Sequence, residues 1–149
     1  MNNKTFTVLM AEDNEHDILA TKRAWKKYKI ANPLYVVNDG EECLDFLFHR
    51  GKYSDESSAP RPGLVLLDIN MPKMDGLTAL RHIREDKKFE KLPVMILTTS
   101  KADEDKLKGY DLNITAYIVK PVGFDNFAEA VKTINIFWEL VEQPEFSFV

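Results

Sequence analysis

Five short apolar runs organise this sequence, and polar residues then helical spacing follow each of them. Residues 5–11, TFTVLMA, read as a first buried strand. A helix is predicted over about 15–28, although Ile18, Leu19, Ala24 and Trp25 fit a one-sided stripe only loosely. Asn32-Pro33 breaks the chain, 34–37 form a second strand, and Asn38-Asp39-Gly40 turn it. A second helix is predicted over 41–49, with Cys43, Leu44, Leu47 and Phe48 at helical spacing. The next stretch, 50–62, RGKYSDESSAPRP, is polar and aperiodic and reads as a long surface loop.

Leu64, Val65, Leu66 and Leu67 form a continuous apolar run, the pattern of a strand covered on both faces of a parallel sheet. Asp68 ends the run, Pro72 and Gly76 punctuate a loop, and a third helix covers about 77–84. A charged connector at 87–91 leads to Pro93 and a fourth strand, VMILT. Helix four is predicted over 102–110, strand five over 116–119, and helix five over 124–141, followed by a short tail. Strands alternating with helices predict an α/β, doubly wound, five-stranded parallel sheet in the order 2-1-3-4-5, with right-handed crossovers.

Composition narrows the class. The chain has 149 residues, 44% of them hydrophobic and 30% charged, which suits a single domain, 1–149, with no second module. The net charge is -4, and no basic patch or zinc-finger spacing appears, so direct DNA binding is not expected. Cys43 is the sole cysteine, so no internal disulfide forms, and its place in the stripe of helix two points to packing. No apolar run approaches the ~20 residues of a membrane span, and no signal peptide is apparent. A cytoplasmic location away from membranes is the expectation.

The chemistry gathers at the carboxyl ends of the strands, where open α/β sheets bind ligands. Strand one delivers Glu12 and Asp13, strand three Asp68, strand four Thr98, Thr99 and Ser100, and strand five Lys120. Carboxylates ~4 Å apart repel by roughly 4 kcal/mol per pair at an effective dielectric of about 20. A hard divalent cation such as Mg2+ relieves that repulsion. Helix capping needs only one residue, Asn14 with Asp17, and leaves the two acids before it unexplained. Lys120 follows the apolar Tyr117-Ile118-Val119, and acids with a bound phosphate would pair it. The Lys120-Pro121 bond is a candidate cis bond that would aim the side chain into the site. Together these residues suit phosphoryl transfer to a carboxylate. Asp68 is then the nucleophile, the metal and Lys120 neutralise charge, and a strand-four hydroxyl, Thr98, bonds a phosphate oxygen.

The motifs AEDN, LLDINMPKMDG, PVMILTTS and AYIVKP, in this order, resemble those of two-component response-regulator receiver domains over nearly the whole chain. The resemblance implies the CheY-like, flavodoxin-like fold and phosphorylation of Asp68 by a sensor histidine kinase. It also implies Mg2+ held by Asp13, Asp68 and the Asn70 backbone carbonyl, with Glu12 assisting through water. Thr98 would be the switch hydroxyl and Lys120 the phosphate-binding lysine. Asn70 and Ser100 would tune the lifetime of the acyl phosphate. Such a protein is a phosphoacceptor rather than an enzyme acting on other substrates. The long loop after helix two and the FWELV ending of helix five are similar to stand-alone receivers paired with bacterial phytochrome-type kinases.

Tyr117 is the candidate aromatic that fills the space a moving Thr98 vacates, or else static packing. The output would be a population shift in the helix four, strand five and helix five surface, passing to a downstream protein or onward by phosphorelay. Phe124, Phe127, Val131, Ile134, Trp138 and Val141 follow 3–4 spacing, and Phe137 and Leu140 lie beside that stripe. The stripe is expected to face the sheet, and the apolar surface beside it is read as a homodimer contact through helix five, against a broad core face. Phe146, Phe148 and Val149 read as an added strand or a partner-binding tail, and equally as a disordered end. His16, His49 and His82 make no site, and a positive charge at His49 would suit the end of helix two. A flavodoxin-type cofactor binder lacks its phosphate loop here. An aspartyl-phosphate phosphatase lacks its second acid, since Asn70 stands there. The alternative is a phosphorylation-independent protein-binding pseudo-receiver, which the full set Asp13, Asp68, Thr98 and Lys120 argues against.

Overall fold

The apolar run at 64–67 lies in the central strand. The computed structural model describes residues 6–98 and 107–119. In it β3 (Pro62–Asp68) is buried along its whole length. β3 pairs in parallel with β1 (Thr7–Ala11) on one side and β4 (Val94–Thr98) on the other. β2 (Leu34–Val37) flanks β1, β5 (Ala116–Val119) flanks β4, and the order is β2-β1-β3-β4-β5, as the sequence predicts.

Alternation along each strand builds two cores. Val8, Met10, Leu64, Leu66, Met95 and Leu97 face α1 (Glu15–Lys27) and meet Ala20 and Ala24. Leu9, Ala11, Val65, Leu67, Val94 and Ile96 face α2 (Gly40–Phe48) and α3 (Gly76–Glu85). Truncating one of the leucines, isoleucines or methionines among them to alanine costs roughly 2–5 kcal/mol. Each of these three helices starts on a side-chain cap: Asn14, Asp39 and Asp75 accept from the backbone N–H three residues on.

Three local expectations change. In α1 the buried positions are Ala20, Thr21 and Ala24, whereas Leu19 is exposed. Small residues let the helix sit close to the sheet, and Thr21 satisfies its hydroxyl on the Asp17 carbonyl at 2.7 Å. The 50–62 segment is not a structureless loop. It holds two 3₁₀ turns, Gly51–Tyr53 and Glu56–Ser58, and it buries Ala59 completely. The 87–91 connector likewise contains a 3₁₀ turn, Lys87–Phe89, which drops Phe89 into the core. Of predicted helix four only 107–110 are described, and helix five, with Phe137 and Leu140, lies outside the described residues. Among the described residues no helix is long and apolar enough to cross a membrane.

Candidate functional site

The sheet sets the site by ending its two central strands at the same edge. β1 stops at Ala11, and the chain then presents Glu12, which is fully buried, and Asp13, which is exposed. Glu12 N–H donates to the Val37 carbonyl at 2.9 Å, so the strand pairing extends one residue into the site. Its carboxylate Oε2 accepts from Asn14 N–H at 3.1 Å. β3 delivers Asp68 at 3% exposure, and Asp68 Oδ1 accepts from Asn70 N–H at 3.1 Å. One carboxylate oxygen each from Glu12, Asp13 and Asp68 lies within 4.8 Å of the others.

The loop after Asp68 is tightly folded back. Gly76 N–H donates to the Ile69 carbonyl at 3.1 Å, and a Cβ on Gly76 would collide with the Asp68 carbonyl. Only glycine lets α3 start this close to the phosphoacceptor candidate. Gly40 makes the same close approach from α2, with its N–H on the Met74 carbonyl at 2.9 Å. Lys73 holds a left-handed backbone (φ 63), and its ammonium lies 3.9 Å from Asp39 Oδ2.

Such an all-oxygen, anionic donor set fits a hard divalent cation. At an effective dielectric of about 20, carboxylates this close repel by roughly 3–4 kcal/mol per pair, and a cation between them reverses the sign.

The structure brings together Glu12, Asp13, Asp68 and the Asn70 backbone. Asp68 pairs with Leu97 and Thr98 with Val119, so the ends of β3, β4 and β5 run side by side. The side chain of Thr98, together with Thr99, Ser100, Lys120 and Pro121, lies outside the described residues. Tyr117 pairs with Ile96 and is half-buried against the α2/α3 core, with Lys108 Nζ 5.6 Å from its ring centroid. Cys43 is fully buried, and burial pushes its thiol up to about 12, which fits a packing role. His49 caps α2 in a left-handed conformation, with Nε2 2.9 Å from the Ala59 carbonyl oxygen. His16 and His82 are exposed, and His82 lies 3.6 Å from Glu85.

Sequence reasoning missed Asn38 and Glu42. Asn38 donates its side-chain amide to the Glu12 carbonyl at 3.2 Å, and Glu42 Oε1 accepts from Asn38 N–H at 2.7 Å. The Asp39-x-x-Glu42 spacing of a capping box was the available signal, but the glutamate reaches one residue further back than that motif does.

Residues 8–132 match the response regulator receiver domain. Response regulator Rcp1 of Synechocystis sp. is 33% identical over 138 residues, covering 92% of each chain. Its Mn2+-bound crystal structure superposes with a TM-score of 0.82 at 32% identity, covering 94% of this chain and 99% of that one. The phosphorylated cyanobacterial phytochrome response regulator RcpA superposes at 0.84 with 32% identity, over 95% of this chain and 100% of that one. RPA3017, a response regulator in red light signaling of R. palustris, is 35% identical at 0.82, over 93% of this chain and 98% of that one. The acidic corner at the ends of β1 and β3 is thus the corner of a known signalling fold, and this chain belongs to the response regulator receiver domain family.

Proposed function

We propose that this protein is a phosphoacceptor response regulator whose Asp68 takes a phosphoryl group from a sensor histidine kinase. The observation that carries the reading is the meeting of Glu12, Asp13 and Asp68 within 4.8 Å, with Asp68 almost fully buried at the end of the central strand. An Asp68 carboxylate oxygen forms the new O–P bond as the P–N bond to the kinase's phosphohistidine breaks. The departing imidazole keeps the electron pair. Asp13, Asp68 and the Asn70 carbonyl would hold Mg2+, with Glu12 assisting through water. When bound, the ion supplies charge neutralisation on the transferring group. Burial of Glu12 and Asp68 keeps bulk water from screening that interaction.

In this reading Lys120 pairs with the phosphate, Thr98 bonds one of its oxygens, and Tyr117 follows Thr98 inward. Asn70 and Ser100 set the lifetime of the acyl phosphate. The kinase is of phytochrome type, a reading supported by the likeness to RcpA and RPA3017. Output passes to a downstream protein through helix four, β5 and helix five, with homodimerisation through Phe137 and Leu140.

Incubation with acetyl phosphate and Mg2+, followed by intact mass, tests the reading. The expected result is one added phosphoryl group, absent in EDTA and absent in Asp68→Asn. An unmodified wild-type protein, or equal modification of Asp68→Asn, would overturn it.

A further inference from the structure

The 50–62 segment is tied to the acidic corner through α2. Asn38, in the turn before α2, donates its side-chain amide to the Glu12 carbonyl at 3.2 Å. Its backbone N–H donates to Glu42 Oε1 at 2.7 Å. The other Glu42 oxygen, Oε2, accepts from the Tyr53 hydroxyl at 2.6 Å and lies 2.9 Å from Lys52 Nζ. Tyr53 is itself anchored. Its ring stands edge-on to Phe46 with centroids 5.1 Å apart, and Phe46 packs against Tyr35 at 5.5 Å. Contacts therefore run without a break from the Gly51–Tyr53 turn to the backbone of Glu12. Burial and the neighbouring Glu42 push the Tyr53 phenol up to about 12, so its hydroxyl stays a donor at neutral pH.

We propose that Tyr53, assisted by Lys52, is a positioning residue for the divalent-cation site. It fixes Glu42, Glu42 orients Asn38, and Asn38 holds the Glu12 backbone. This sets the spacing of Glu12 and Asp13 against Asp68. The inference rests on the cation reading given above. Three carboxylates this close repel, and a compliant backbone at 12–13 relaxes by spreading them. A cation must then gather them again on binding, which weakens its affinity. The brace holds the ligands in place beforehand, as outer partners of metal ligands do elsewhere.

Mn2+ titration of the full chain, read by electron paramagnetic resonance of the free ion, tests this. Tyr53→Phe keeps the ring and removes the hydroxyl. The expected result is a Kd raised roughly three- to tenfold, below the roughly 10–100-fold typical of groups that contact a metal ligand directly, because Tyr53 acts through two further residues. The Mg2+ concentration giving half-maximal phosphorylation by acetyl phosphate is expected to rise by a similar factor. Because the residues act in series, Tyr53→Phe added to Asn38→Ala should weaken binding no further than Asn38→Ala alone. A merely structural role would lower the melting temperature and leave the Kd in place. An unchanged Kd in Tyr53→Phe, or fully additive losses in the double variant, would overturn the proposal. Glu42→Gln, of the same shape, is read in the same way if Tyr53→Phe does not fold. A wild-type protein that binds no Mn2+ would instead overturn the cation reading itself.

Discussion

At the scale of single residues, charge decides most of what this protein can do. Asp68 and Glu12 are buried and the exposed Asp13 lies beside them, so the three like charges repel one another. Asp68→Asn removes one charge from that corner. It is expected to raise the melting temperature measured in EDTA and to shrink the further rise expected when Mg2+ is added to the wild type. A lower melting temperature in EDTA would show that Asp68 contributes bonding rather than repulsion. Glu42 behaves in the opposite sense. Burial pushes its carboxyl up, but the Tyr53 hydroxyl, Lys52 and the Asn38 backbone N–H outweigh it and hold the group below its ordinary value of 4.5. A depressed acid contributes stability above its unfolded value and loses that stability as pH falls through the folded one. Urea midpoints of wild type and Glu42→Gln should therefore differ most above pH 4.5 and converge in stronger acid. A difference that does not change with pH would assign the effect to packing.

At the scale of elements, caps and close approaches place the site. Asn14, Asp39 and Asp75 each start a helix beside the acidic corner, and Asn14→Ala is expected to cost about 1 kcal/mol in chemical denaturation. Gly76→Ala pushes a methyl group into the Asp68 carbonyl and is expected to cost roughly 1–3 kcal/mol. Arg84 links α3 to the chain before β5. It donates to the carbonyls of Phe89, Leu112 and Asn113 at 2.6, 2.8 and 2.9 Å. Burial lowers its guanidinium to about 10, so it stays charged at neutral pH. Arg84→Met leaves those carbonyls without their charged donor and is expected to lower stability by roughly 2–4 kcal/mol, read from the urea midpoint.

The strands and the start of each helix were legible because period and capping are local signals. Leu64 to Leu67 announced a doubly covered strand, and Asn14 announced a cap. Leu19 was misread because the apolar stripe of α1 runs through the small residues Ala20 and Ala24, whose burial depends on how closely the helix docks. Tyr53, Ala59 and Phe89 were hidden in polar stretches, where one apolar residue among charges carries no period. The role of Arg84 depends on carbonyls up to 29 residues away, which no local pattern records.

At the scale of the whole molecule, the parallel order β2-β1-β3-β4-β5 brings residues distant in sequence to one edge. Glu12 and Asp68 are read as site residues from their strand ends alone, because the topology makes those ends neighbours. Covalent capture at Asp68 is the claim on which phosphotransfer, switching and output depend. Borohydride reduction of the protein after acetyl phosphate and Mg2+ tests it most directly, since hydride converts an aspartyl phosphate to homoserine. Peptide mapping by mass spectrometry should find homoserine at position 68 and at no other acid. Homoserine at 13, hydroxynorvaline (the product of a glutamyl phosphate) at 12, or no reduced acid in a protein shown to be folded and metal-loaded, would contradict it.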